Sequence, residues 1–241
     1  MNRKFLAFDI ETAAVLSEPQ FKNWRRHRPL GITCIAAQAS DAAAPTFWDA
    51  RDDAGNSSGR MAPAQVADFV TYLQRMSTQG YTLLTWNGLG FDWEVLSEEA
   101  VSFEACRALA TNHVDMMFHI FCDRGYPVAL DKAAQGHGIP GKPPGMAGFL
   151  APQKWAQGCY QEVLEYVAQD VRITLDVAKK SEEQRSFRWI TGKGKPSSMP
   201  LHGGWLNVRS ALELPEPDTS WMSDPIPRAR FTEWLDKAPD R

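Results

Sequence analysis

Apolar residues follow two rhythms along this chain. Near its start, "KFLAFDIET" runs through Phe5, Leu6, Ala7, Phe8 and Ile10 almost without a break, which predicts a buried strand, yet Asp9 and Glu11 sit inside it. Further strands are expected over "ITCIAAQAS" and "PTFWDA", parted by turn residues in the manner of a meander. Another is expected over "YTLLTW", which stops at Asn87-Gly88. The helical period recurs in "APAQVADFVTYLQRM", where Val66, Phe69, Val70 and Leu73 share a face, and a helix is expected to begin near Phe91-Asp92. "EACRALATNHVDMMFHIFCDRG" reads mainly as helix, and "VALDKAAQGHGIPGKPPG" as a short helix closed by glycine and followed by a Pro/Gly-rich loop. The long "CYQEVLEYVAQDVRITLDVAKKSEEQ" places Val163, Val167 and Val171 on one stripe. These elements predict one domain over residues 1–185. Beyond it, residues 186–241 are rich in Pro, Gly and Ser with scattered tryptophans, which predicts an irregular extension packed on the domain.

Composition narrows the picture. With 241 residues, 44% hydrophobic, the chain is that of an ordinary globular protein, and a net charge of -3 excludes a grip on polyanions by overall positive charge. Cys34, Cys106, Cys122 and Cys159 form no C-x-x-C pair, so neither a zinc ribbon nor a disulfide framework is indicated, and a reducing, cytoplasmic setting is expected. The acids of "FDIET" interrupt the first apolar run too early for a signal peptide, and no apolar stretch is long enough to span a membrane. No membrane partner is expected, and the oligomeric state is left open.

The chemistry starts from those acids. Residues i and i+2 of a strand project to the same face, so Asp9 and Glu11 aim at one point. Like charges held together in an apolar setting repel unless a cation sits between them or one takes up a proton. A second carboxylate, Asp92, stands at the strand-to-helix junction "LLTWNGLGFDWEVL", where it could equally stabilise the helix start. In "YVAQD", Tyr166 and Asp170 lie one helical turn apart on one face.

"FDIET", "NGLGFD" and "YVAQD" together resemble the three motifs of the DEDD superfamily of 3′-to-5′ exonucleases, most of all the proofreading domains of family-B DNA polymerases and their stand-alone relatives. The resemblance covers residues 4–183, with the motifs in order. One branch of that superfamily carries a histidine five residues before the last aspartate and the other a tyrosine four before. Here those positions are Glu165 and Tyr166, which places the chain with the tyrosine branch, DEDDy.

The resemblance implies an α/β, ribonuclease H-like fold, a mixed central β-sheet flanked by helices. It implies Asp9, Glu11, Asp92, Tyr166 and Asp170 as catalytic residues, the four acids holding two Mg2+ or Mn2+ ions. A cluster of hard carboxylate oxygens suits such cations and two-metal phosphoryl chemistry. A phenol, ordinarily ionising near pH 10, suits positioning a water more than deprotonating it. The implied reaction is release of nucleoside monophosphates from the 3′ end of single-stranded DNA, with RNA left open. A catalytically silent nucleic-acid-binding module is the alternative; a glycosidase, needing two acids, fits a four-acid set less well.

Thr12, Trp86, Asn87 and Phe91 flank the acids and are candidate contacts to terminal nucleotides, although the two aromatics could equally be core and Asn87 part of a turn. "FKNWRRHR" interleaves Lys22, Arg25, Arg26 and Arg28 with Trp24, either a phosphate-tracking strip or a solvated loop. Asp115 is a candidate fifth acid or a helix cap. The histidines at 113, 119, 137 and 202 lack a metal-ligand spacing.

Overall fold

The structure, a computed structural model, describes residues 3–141 and 148–237. Seven strands run β1 Phe5–Thr12, β2 Ile32–Ala39, β3 Thr46–Asp49, β4 Thr82–Thr85, β5 Val114–Asp115, β6 Ser186–Ile190 and β7 Pro196–Pro200 among these residues. Helices occupy α1 Glu18–Phe21, α2 Pro63–Thr78, α3 Asp92–Glu99, α4 Phe103–Asn112, α5 Met116–Arg124, α6 Leu130–Gly136, α7 Ala151–Ala156, α8 Tyr160–Gln184, α9 Val208–Leu212 and α10 Ala229–Thr232. The main sheet has the order β3-β2-β1-β4-β5. The expected meander is its first half, β1, β2 and β3 pairing antiparallel, whereas β4 lies parallel to β1 and β5 parallel to β4.

β1 is central, which explains its composition. Phe5, Leu6, Ala7, Phe8 and Ile10 are all buried, because both faces of a central strand are covered. The parallel pairing with β4 brings the carboxyl ends of the two strands to the same edge, so Asp9 and Glu11 emerge beside the Asn87-Gly88 turn. Across the sheet, α8 carries two stripes. Val163, Val167, Val171 and Ala178 are buried in the core, and Tyr166, Asp170 and Thr174 run beside them. Residues three apart on a helix stand about 60° around its axis, so one face packs and its neighbour reaches the sheet edge.

One expectation gains a detail and one is corrected. Residues 104–125 are mainly helical, as expected, but Val114 and Asp115 pair with Leu84 and Thr85, and split the segment into α4 and α5. Two residues carry too little pattern to read as a strand; pairing with β4 decides it. The segment after residue 185 is not irregular throughout, since "SFRWI" pairs with "PSSMP" as a β6-β7 hairpin. Its period of two was readable, with Phe187 and Trp189 buried and Arg188 exposed between them. Gly136 of α6 lies so near this hairpin that a Cβ there would fall 2.4 Å from the Trp189 backbone. Residues 142–145 of the Pro/Gly loop expected after α6 lie outside the described residues. Among the described residues no helix is long and apolar enough to cross a membrane.

Three of the histidines, His113, His119 and His137, are buried and structural. His119 Nδ1 accepts from the Leu206 N–H at 3.3 Å and His137 Nε2 from the Arg188 N–H at 3.0 Å. His113, 1% exposed, links three segments. Its Nδ1–H donates to the Ala110 carbonyl, and its Nε2 accepts from the Thr85 hydroxyl at 2.9 Å, while Thr85 Oγ1 accepts from the Gly88 N–H at 3.2 Å. Burial pushes His113 down to about 3, so it folds neutral and unfolds into water where it titrates near 6.5. Its contribution is complete above pH 6.5 and is lost as pH falls toward 3, by about 1.4 kcal/mol per pH unit. Urea unfolding of the wild type should therefore steepen below pH 6.5 relative to His113→Gln; curves that stay parallel down to pH 4 would contradict a buried neutral imidazole.

Candidate active site

Asp9, Glu11, Asp92, Tyr166 and Asp170 line one cavity of about 760 Å³. They arrive from three places: the end of β1, the first residue of α3, and the second stripe of α8. Asp92 is not the cap of α3, a position held by Phe91; it is 3% exposed and points back to the sheet, where its Oδ1 accepts from the Ile10 N–H at 3.3 Å. Thr12, Trp86, Asn87 and Phe91 line the same cavity. Trp86 Nε1 donates to the Val128 carbonyl at 3.1 Å, and Phe91 packs edge-on against Trp24 at 5.1 Å between ring centres.

The turn between β4 and α3 depends on Asp115, which does not line the cavity. Its carboxylate accepts from the N–H groups of Asn87 at 3.0 Å, Leu89 at 2.8 Å and Phe118 at 3.0 Å, so it caps α5 and ties down the turn at once. Burial raises Asp115 to about 6 against those three hydrogen bonds, which favour its charged form. Within the turn, Asn87 takes a left-handed φ of 69°. Gly88 is required by proximity, since a Cβ would fall 2.4 Å from Thr85 Oγ1.

Four contributors had no sequence signal or an unused one. Phe231 lines the cavity from the C-terminal segment, with a Cβ at Gly90 falling 2.8 Å from its ring, and Trp234 Nε1 donates to the Leu89 carbonyl at 2.8 Å. No local pattern links those residues to a turn so far back in the chain. Phe21 also lines the cavity, from the edge of the basic stretch, and Thr174 extends the Tyr166-Asp170 spacing by one turn, a stripe that was readable.

A family model described as RNase_H superfamily matches residues 51–181, more than half of the chain. The chain belongs to this superfamily. The match takes in Asp92, Tyr166 and Asp170 but begins after β1, so Asp9 and Glu11 join them through the sheet. The fold is similar to that of a solved structure. The family B DNA polymerase from the archaeon Pyrobaculum calidifontis is similar at 22% identity and a TM-score of 0.54, over 76% of this chain and 25% of that one. E. coli exonuclease I in complex with a 5cy-dA13 oligonucleotide aligns at 17% identity and a TM-score of 0.39, over 76% of this chain and 41% of that one. This chain thus spans a quarter to two-fifths of those proteins. No curated protein matches it significantly in sequence.

In this RNase H-superfamily site, burial first and the Asp115 charge next push Asp92 up to about 7, while hydrogen bonds from backbone N–H groups and with the Asp9 side chain pull the other way. A hydrogen bond between two carboxyl groups requires a shared proton, the compensation that a divalent cation supplies with greater charge. The donor set fits such a cation: carboxylate oxygens, from separate elements, on one cavity wall. Among the described residues no three His, Cys, Asp or Glu side chains stand close enough to grip an ion as placed, so ligation needs the acids to turn toward one another.

The basic stretch divides. Glu94, buried on α3, receives Arg25 Nη2 at 2.6 Å and Arg28 Nη1 at 2.9 Å, and Arg28 Nε reaches Glu98 at 2.8 Å. Lys22 pairs with Glu18 at 2.9 Å, and Arg26 is exposed. Lys22, Arg25 and Arg26 line a smaller cleft with Arg230 and Glu233, apart from the acid cavity. The stretch is therefore not a uniform row of solvated cations: two of its arginines neutralise buried or half-buried glutamates.

Proposed function

We propose that this chain is a metal-dependent 3′-to-5′ exonuclease of the DEDDy type, a phosphodiester hydrolase that releases nucleoside monophosphates from the 3′ end of single-stranded DNA. The observation that carries this reading is the convergence of Asp9, Glu11, Asp92, Asp170 and Tyr166 on one cavity of an RNase H-superfamily fold. Asp9, Glu11, Asp92 and Asp170 would hold two Mg2+ or Mn2+ ions. Bound there, such ions polarise a phosphate and lower the pKa of water.

The chain's own residues do the positioning. Tyr166, 5% exposed on the α8 face that carries Asp170, orients the attacking water. Trp86, Phe91, Phe21 and Phe231 give the cavity aromatic walls on which a terminal base can stack whatever its identity. Thr12 and Asn87 bring polar groups to the same wall.

Oligonucleotides labelled at the 3′ or the 5′ end, incubated with Mn2+, test the reading. Single-stranded DNA should shorten stepwise from its 3′ end, and EDTA should stop it. Degradation that persists in EDTA, or that starts from the 5′ end, would falsify the proposal.

A further inference from the structure

A second cavity, of about 390 Å³, lies across a short ridge from the acids. Pro127, Val128 and Ala129 line both cavities, so the two adjoin. The ridge is pinned by the hydrogen bond from Trp86 to Val128. Trp189 of β6, itself buried, forms part of the second cavity's wall, and Tyr126, Lys132, Lys193 and Trp221 stand around it.

Trp221 is 66% exposed, more than any other large apolar side chain among the described residues. It is nevertheless held. Its Nε1 donates to the Asp218 carbonyl at 3.1 Å, the Ser220 N–H donates to Asp218 Oδ1 at 3.0 Å, and its ring meets Tyr126 edge-on at 6.1 Å. The loop is seated on Gly125, whose φ is +79° and where a Cβ would fall 2.5 Å from Thr219 Cγ2. An indole fixed open to water beside a second aromatic offers a stacking surface to a ligand. Lys193 projects from the hairpin turn closed by the Thr191 and Lys195 backbones at 2.8 Å, and Lys132 Nζ donates to the neutral Gln135 Oε1 at 3.4 Å. In a chain of net charge -3 whose Arg25 and Arg28 are held by glutamates, these lysines make this groove locally complementary to a polyanion.

We infer that the groove binds the stretch of a single-stranded polynucleotide adjoining the terminal residues in the acid cavity, bases stacking on Trp221 and Tyr126 and phosphates meeting Lys132 and Lys193. The inference rests on the exonuclease reading for the strand's course, and its test does not depend on catalysis. Aromatic grooves also take proline-rich peptides, but such a ligand makes no use of two lysines.

Anisotropy of a labelled oligothymidylate of about 12 nucleotides, a length within the range of single-strand sites, is measured in EDTA. Trp221→Ala should weaken binding by about tenfold, as loss of one stacked base does. Lys132→Gln with Lys193→Gln should flatten the dependence of log affinity on log salt by about 0.7 for each phosphate no longer neutralised. Hydrolysis of the p-nitrophenyl ester of thymidine monophosphate with Mn2+ should not change in either variant, since these residues lie outside the acid cavity. The inference is overturned if the wild type does not bind the oligomer, if both variants match it in affinity and salt slope, or if a proline-rich peptide binds through Trp221 and the oligomer does not. Trp221-dependent binding by a wild type that hydrolyses no ester supports the groove and sinks the exonuclease reading alone.

Discussion

Asp9→Ala should slow hydrolysis of a 3′-hydroxyl oligonucleotide by at least about a hundredfold, on the order of 3 kcal/mol of transition-state stabilisation. Asp9 is half-buried at the end of β1, opposite Ala36, and hydrogen-bonded to the Asp92 side chain. Removing it deletes one carboxylate from the set that would hold the cations and leaves the β1-β2 ladder, which is made by backbone groups, in place. The urea midpoint should therefore move far less than the rate. Tyr166→Phe is the contrasting variant, since it removes a hydroxyl and no ligand. Its loss should be smaller than that of Asp170→Ala, with Mn2+ binding retained by calorimetry. Asp9→Ala within a factor of two of wild type would mean that Asp9 takes no part in the reaction, whatever the cavity's shape.

The second large effect concerns stability. Arg25→Ala combined with Arg28→Ala should cost about 3 kcal/mol of unfolding free energy, because it strands the Glu94 carboxylate, 3% exposed as a side chain, without its two cations. Both arginines are about a quarter exposed, which places the cost at the lower end of that for broken buried pairs. Adding Glu94→Met should restore most of the stability, since the penalty comes from an uncompensated charge rather than from absent packing. Urea titration of the double and triple variants checks this. A double variant as stable as wild type would show that these arginines are held only loosely, and would return them to the pool of cations available to a phosphate chain.

Much of the site was legible because its elements announce themselves locally. The apolar run of β1 with two acids at strand spacing, the arrest of β4 at Asn87-Gly88, and the i, i+4 pair Tyr166-Asp170 are all short-range patterns, and alternation or helical pitch converts each into a direction. It was the resemblance to the exonuclease motifs that joined these acids into one four-carboxylate set. That the acids share a cavity could not be, because it follows from the parallel pairing of β1 with β4 and the register of α8 on the sheet.

Other features were decided by tertiary structure alone. Asp115 reads identically as a metal ligand or a cap, and only the folded chain turns it to the N–H groups of Asn87, Leu89 and Phe118 and away from the cavity. Arg25 and Arg28 read equally as part of a phosphate-tracking strip or of a solvated loop, and only the folded chain brings Glu94 of α3 beneath them, because a sequence displays charge but not the distance to its counter-charge. Phe231 and Trp234 belong to a segment whose composition suggested no more than a covering, yet Phe231 walls the cavity and Trp234 binds its turn. The sequence by itself determined which chemical groups the protein carries and the short elements that aim them; tertiary structure decided which of those groups meet, because the meeting of distant segments depends on sheet order and packing that no local period encodes.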